Sequence, residues 1–241
     1  MNTVTRKTRE RAEREQHLLD VANNLVREKG LITLQMSHLA QAAEVAMGTL
    51  YSHFSSKEDL LLALAVRISE QQGDYVVRAA RWQAGTRDRM MATALADWLF
   101  LHRNPHFAQI TQYALSEVAW ERASEARRQD FVLSREPVGA AIFSIVRDAQ
   151  DAGDLPRSGF TVEELPFGFW TMVVGTQQLT HTRGLLEHFS IREPHLTMVR
   201  HIVVWLNGLS WKPLASANAT DGICGLRDRL FADVFPEEPC A

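Results

Sequence analysis

Cysteine is nearly absent. Only Cys224 and Cys240 occur among 241 residues, both near the C-terminal end. Two late thiols without metal-ligand spacing support neither a disulfide framework nor a thiolate metal site, so free thiols in a reducing cytosol are expected. Long apolar runs are also missing, and none approaches the ~18 residues of a membrane span. The N-terminus is polar and charged, unlike a secretory leader, so the chain reads as a soluble cytoplasmic protein. Neither charge sign dominates: 26 Lys and Arg oppose 29 Asp and Glu, for a net charge of −3. Binding to a polyanion would therefore have to rest on local placement of charge. No G-x-S-x-G, H-E-x-x-H, P-loop, dinucleotide glycine pattern or cysteine–histidine signature occurs, which leaves an enzyme as a remote alternative. No cofactor and no metal is expected.

What is present is helical. From Glu13 to Lys29 apolar residues fall at Leu18, Val21, Ala22, Leu25 and Val26, one stripe of a helix, with a basic last turn before Gly30. Two short helices follow closely. Leu39, Ala40 and Ala43 mark the first, Leu50 and Phe54 the second, and Glu44, Val45 and Ala46 separate them, the length of a helix-turn-helix connection. The small residues Ala40, Ala43 and Gly48 let the two helices cross closely. Met47, Thr49, Tyr51, Ser52 and His53 then share the outward face and its edges. Ser56-x-x-Asp59 fits a capping box for a third helix, with Asp in place of Glu. A docked helix presenting Thr, Tyr and His, followed by a Lys at a helix start, suits a DNA groove.

The runs LLDVANNLVREKG and HLAQAAEVAMGTLYSHFSSKEDLLLA resemble the DNA-binding domain of the TetR family of bacterial repressors. Gly48-Thr49-Leu50-Tyr51, His53-Phe54 and Ser56-Lys57-Glu58-Asp59-Leu60 match that family's pattern position by position, and the resemblance spans about residues 11 to 71. It implies that Thr49, Tyr51 and His53 contact DNA, that Lys57 binds a phosphate, and that Leu39, Leu50 and Phe54 are core. Free backbone N–H groups at a helix start support the phosphate role of Lys57.

Two positions depart from the family. Glu44 replaces the glycine usual in the turn, at a cost of about 1 kcal/mol if its φ is positive. Leu34 stands where a capping Thr is common, so either Thr33 or Gln35 caps instead. In addition, no Lys or Arg occurs between Gly30 and Ser56, so the reading head lacks the commonest donor to guanine. Direct readout falls to Gln35, Ser37, Met47, Thr49, Tyr51 and His53, with Gly48 at the contact. Affinity must come from dimerisation and from the basic N-terminus, where Arg6, Lys7, Arg9, Arg11 and Arg14 form either a solvated tail or an arm along the phosphates.

The pattern beyond continues as helices. One runs from Lys57 to Val76 or Val77, broken or bent near Gly73. Another spans about Arg87 to His102, and a third opens at Asn104-Pro105, with Asn as cap, and runs through Trp120. Ser124 caps a fourth, and Pro137 forces a break near Glu136. Two strongly apolar helices follow. The first lies after the Thr161-x-x-Glu164 box, with Pro166 placing its start near Leu165. The second runs from Pro194 to Asn207-Gly208. Both are apolar over more than one face, and the resemblance implies that they pair with their copies across a dimer. The stretch from 210 onward carries one short amphipathic segment, Leu226 to Val234.

The expected fold is therefore all-α. An N-terminal three-helix domain with a helix-turn-helix (residues 1–71, motif about 34–53) precedes a larger helical ligand-binding and dimerisation domain (residues 72–241). Ligand candidates are Trp98, His102, Phe107, Tyr113, Trp120, Trp170, Gln177 and His181, set against the reading that such aromatics are simply core. Gln177 and His181 lie one turn apart in an apolar helix and need a partner: a ligand, a water or the other subunit. A metal site from His181, His188 and His195 is disfavoured, because Gly184 and Pro194 break any shared helix. The functional expectation is a homodimeric repressor on a pseudo-palindromic double-stranded operator, released by a small, largely apolar effector. The alternative is a DNA-binding regulator controlled by a protein partner.

Overall fold

The computed structural model describes residues 3–182, 184–216 and 220–237. Cys240 lies outside them, and Cys224 is a free, half-buried thiol. The chain is all-α, with no strand among the described residues. In order the helices are α1 (Thr3–Lys29), α2 (Met36–Ala42), α3 (Met47–His53), α4 (Lys57–Ala80), α5 (Thr86–Arg103), α6 (Pro105–Ala114) and α7 (Glu117–Arg122). Then come α8 (Glu125–Leu133), α9 (Glu136–Asp151), α10 (Leu165–Thr180), α11 (Leu185–His188), α12 (Pro194–Gly208) and α13 (Thr220–Val234). None is long and apolar enough to cross a membrane.

Two compact units emerge. The first joins Met1–Glu70 to Asn104–Ser134, and the second joins Gln71–Arg103 to Arg135–Ala241. The sequence suggested one cut at residue 71, whereas α6 to α8 group with the N-terminal segment. Hydrogen bonds explain this. The Asp59 carboxylate accepts the Ser124 N–H at 2.7 Å, the Tyr113 hydroxyl donates to Glu58 at 3.2 Å, and Arg127 pairs with Glu15 at 2.7 Å.

In the first unit, α1 buries Leu18, Leu19, Ala22 and Val26, and ends where Gly30 takes φ 84°. Leu39 and Ala40 of α2 and Leu50 of α3 are buried, with Phe54 just beyond. Between the two helices Glu44 has φ 54°, so the strained turn conformation anticipated for this position is present. The turn closes through Val45 N–H donating to the Ala40 carbonyl at 3.0 Å. Neither proposed residue caps α2. Gln35 precedes it without a side-chain cap bond, and the Thr33 hydroxyl donates backward to Lys29 and Gly30. Ser56 does accept the Asp59 N–H, but Asp59 returns the bond to Ser55, one residue earlier than a standard box.

In the second unit, α5, α9, α10, α12, α13 and the end of α4 enclose one core. Gly73 does not break the helix, because α4 runs uninterrupted to Ala80. A side chain there would meet Val138 of α9 at 3.2 Å, so the glycine serves close packing. Asn104 forms no side-chain cap bond, and the helix expected to reach Trp120 stops at Ala114. Ser116 starts α7 instead, accepting the Ala119 N–H at 3.3 Å. The expected break at Pro137 falls between α8 and α9. The C-terminal stretch is core: Trp211, Leu230 and Phe235 are fully buried. Arg87, also buried, donates to the carbonyls of Trp211 (2.5 Å) and Val203 (3.1 Å) and to Asn207 Oδ1 (2.8 Å).

Candidate nucleic-acid interface

The helix α3 is fixed from beneath by Leu50 and Phe54, which are completely buried. Its other face carries exposed Met47, Gly48, Tyr51 and Ser52, with Thr49 half-buried at the edge. Tyr51 leaves 49% of its surface in solvent. On α2 and its approach, Gln35 and Ser37 are exposed, and Ile32 in the preceding turn is 94% exposed. The outward set expected from the sequence is exposed or half-buried, with one exception.

That exception is His53. Its side chain is 4% exposed, and Nδ1 lies 3.4 Å from Glu15 of α1. A residue so enclosed cannot reach a base edge, so His53 is corrected from the reading face to the interior of its own unit. Gly48 needs a second correction. A Cβ there would meet nothing within 4 Å, so the absent side chain does not serve packing between α2 and α3. The bare backbone faces outward.

Lys57 opens α4, half-buried, with Nζ 3.5 Å from the Leu31 carbonyl. The first N–H groups of α4 have no intrahelical acceptor, and Ser56 takes only the third. Asp59 is the third residue of this helix. Burial pushes its carboxyl up, but hydrogen bonds from Ser55 and Ser124 outweigh this and hold it below the usual value.

The basic N-terminus is helical. It is the first part of α1, where Arg6 pairs with Glu10 at 2.7 Å and Arg9 with Glu13 at 3.4 Å. Arg11 donates to the Ser52 carbonyl at the end of α3, at 2.8 Å. A guanidinium there satisfies a free carbonyl and suits the negative end of the helix. Sequence spacing offered no sign of this bond across 41 residues.

The eight ligand candidates separate. Phe107, Tyr113 and Trp120 belong to the first unit and are already occupied. Phe107 is buried, Tyr113 bonds Glu58, and Trp120 meets Phe131 edge-on at 6.4 Å. In the second unit Trp98 stacks on His102 at 5.1 Å and leans on His195 at 6.1 Å. Burial lowers the His195 pKa, and the nearby His102 and His181 lower it further. His195 was thus missed as a neighbour of the Trp98 cluster. Trp170 is instead surface-exposed beside Phe167 on α10. Gln177 finds its partner within the chain: it and Gln72 each donate to the Asp97 carboxylate. Asp97 keeps some exposed surface, yet burial of its carboxyl raises its pKa to about 6, against the hydrogen bonds and the nearby Arg135. Among the described residues no three His, Cys, Asp or Glu side chains could hold a metal ion.

A sequence profile described as "Bacterial regulatory proteins, tetR family" matches residues 18–64. The HTH-type transcriptional regulator AcrR of Shigella flexneri is 41% identical over 58 residues, 24% of this chain and 27% of that one. The fatty acid metabolism regulator protein of Bacillus subtilis (strain 168) is 27% identical over 103 residues, 42% of this chain and 52% of that one. The matched stretches thus span about a quarter to a half of these relatives. Over the whole fold, the crystal structure of transcriptional regulator FadR from Bacillus subtilis in complex with stearoyl-CoA superposes with a TM-score of 0.56. That match is 18% identical and covers 83% of this chain and 99% of that one. Seated on the helix-turn-helix of α2 and α3, residues 18–64 form a domain of the tetR family of bacterial regulatory proteins.

Proposed function

We propose that this protein regulates transcription as a homodimer on a pseudo-palindromic operator, laying α3 in the major groove of each half-site. The observation that carries the reading is the outer face of α3: Met47, Gly48 and Tyr51 stand clear, with Thr49 half-buried at the edge, while Leu50 and Phe54 anchor the helix. Met47 and the Thr49 methyl suit thymine methyl groups, Tyr51 suits phosphate or a base edge, and bare Gly48 admits the DNA backbone. Gln35 and Ser37 add polar contacts, and Lys57 adds a phosphate contact at the start of α4. Phe167, Trp170, Leu179 and Val204 on α10 and α12 expose an apolar surface that supports pairing with a second copy.

The same reading makes the protein a repressor released by a small, largely apolar ligand. Similarity to a fatty acid metabolism regulator and to a fold solved with stearoyl-CoA favours a long-chain acyl compound. The cluster of Trp98, His102 and His195 in the second unit, with His181 close by, supports a receiving site there. Release follows if the ligand favours a spacing of the two α3 helices other than the ~34–36 Å between successive major grooves.

The test is an operator selected from random duplexes, then titrated with wild type and variants. Tyr51→Ala should lose at least ~10-fold in operator affinity while the dimer stays folded. Lys57→Ala should weaken all sequences alike and flatten the salt slope by about one unit. Normal binding by both variants would remove α3 as the reader. Stearoyl-CoA should lower operator affinity, and a titration without effect would remove the ligand-released part.

A further inference from the structure

The last turn of α3 is held by two arginines from outside the helix-turn-helix. Arg11 of α1 bonds the Ser52 carbonyl at 2.8 Å. Arg127 of α8, 74 residues downstream of His53, reaches the His53 carbonyl at 3.4 Å. The Arg127 guanidinium also pairs with Glu15 of α1 at 2.7 Å and lies 5.3 Å over the Phe54 ring. Glu15 turns its other oxygen to His53 Nδ1 at 3.4 Å. One guanidinium therefore joins α1, the end of α3 and α8.

Its surroundings argue against a plain surface ion pair. Arg127 and Glu15 are only 20% and 22% exposed, and the His53 ring they enclose is nearly sealed. An ion pair so withdrawn from water is screened little and is costly to break one-sidedly. The guanidinium is spent on these acceptors and on Asp130 at 3.6 Å, which argues against a direct phosphate contact. A second tie runs in parallel, from the Ser124 N–H at the head of α8 to Asp59 at 2.7 Å.

We propose that Arg127 is a positioning residue for α3, and that α8 thereby belongs to the DNA-reading unit. This rests on the proposed role of α3. The core residues Leu50 and Phe54 fix the depth of the helix, while Arg127 and Arg11 fix the direction of its C-terminal end. A base-reading helix depends on that direction, because its side chains must meet base edges within hydrogen-bond range. Non-specific binding through phosphates does not.

The experiment compares wild type with Arg127→Gln, Arg127→Lys, Glu15→Gln and Arg127→Gln/Glu15→Gln in the full-length chain. Operator and scrambled duplexes are titrated over a range of salt, and folding is followed by circular dichroism. Arg127→Gln should lose about 10-fold on the operator, the scale of one lost base contact, with scrambled-duplex affinity and salt slope unchanged. Glu15→Gln should act in the same direction, and the double variant should fall short of the product of the two. Arg127→Lys, which keeps charge without the fork, should lie between wild type and Arg127→Gln and carries the test if Arg127→Gln fails to fold. Parallel loss on both duplexes with a shallower slope would make Arg127 a phosphate contact and overturn the proposal. So would folded variants with an unchanged operator-to-scrambled ratio. A wild type that distinguishes no sequence would instead remove the reading of α3, and this inference with it.

Discussion

Glu44 sits at φ 54° in the turn between α2 and α3, where its Cβ crowds the backbone. Glu44→Gly should raise stability by about 0.5–1 kcal/mol, the relief of strain less the extra freedom of glycine in the unfolded chain. A urea titration measures this, and a loss of stability would mean that the Glu44 side chain holds a contact of its own. Asp97 carries the opposite lesson in charge. Burial raises its pKa to about 6, above the ~3.9 of an unfolded Asp, so its contribution to folding is complete below ~4 and is lost as pH rises through 6. Relative to wild type, Asp97→Asn should gain on the order of 2–3 kcal/mol between pH 4 and pH 7 in thermal melts. A pH-independent difference would rule out ionisation of Asp97 in that window. The charge in the apolar run from Ala92 to Leu101 was visible in the sequence, but its partners Gln72 and Gln177 were not. They lie 25 and 80 residues away, and helical spacing relates only residues within a turn or two.

The helices themselves were mostly legible. The stripe of α1, the start of α10 near Leu165 and the break at Pro137 all follow from short-range chemistry that each segment carries within itself. The misreadings occurred where tertiary contact overrode a local signal. Gly73 looked like a breaker, yet Val138 packs against it and α4 continues. Asn104 looked like a cap, yet it forms no cap bond and α6 starts without one. The C-terminal segment had no clear assignment because its partners lie on distant helices. Tyr75 stacks on Phe235 at 5.2 Å, Arg78 lies 4.6 Å over the same ring, and the Trp82 indole donates to Asp233 at 3.0 Å. A chain ending at residue 210 should therefore lose the cooperative unfolding of the second unit. It would lack Trp211, Leu230, Phe231 and Phe235, each worth roughly 1.5–3 kcal/mol when buried, together comparable with the net stability of a domain. A sharp melt with an unchanged midpoint would show that this segment is dispensable.

At the scale of the whole molecule, the exposed face of α3 was legible because its residues are close in sequence, whereas the unit that carries it is discontinuous. Residues 104–134 fold with the N-terminal segment through bonds such as Asp59 to Ser124, which no local pattern announces. The proposed assembly gives one further expectation. Phe167→Glu with Val204→Glu should convert a dimer into a monomer in sedimentation, with operator affinity falling at least ~100-fold as the second half-site ceases to be tethered. A folded double variant that stays dimeric would place the interface elsewhere. The N-terminal arginines Arg6 and Arg9 are answered by Glu10 and Glu13 along α1, and α2 and α3 carry no Lys or Arg. On the proposed function, the fewer phosphates such a surface neutralises, the fewer condensed counterions return to solution and the less log K changes with salt. On the proposed function, arbitrary chromosomal sequence holds such a protein only briefly. Little of it is sequestered by the genome, a small pool suffices to fill a few sites, and their occupancy holds steady when osmotic stress shifts the ionic strength.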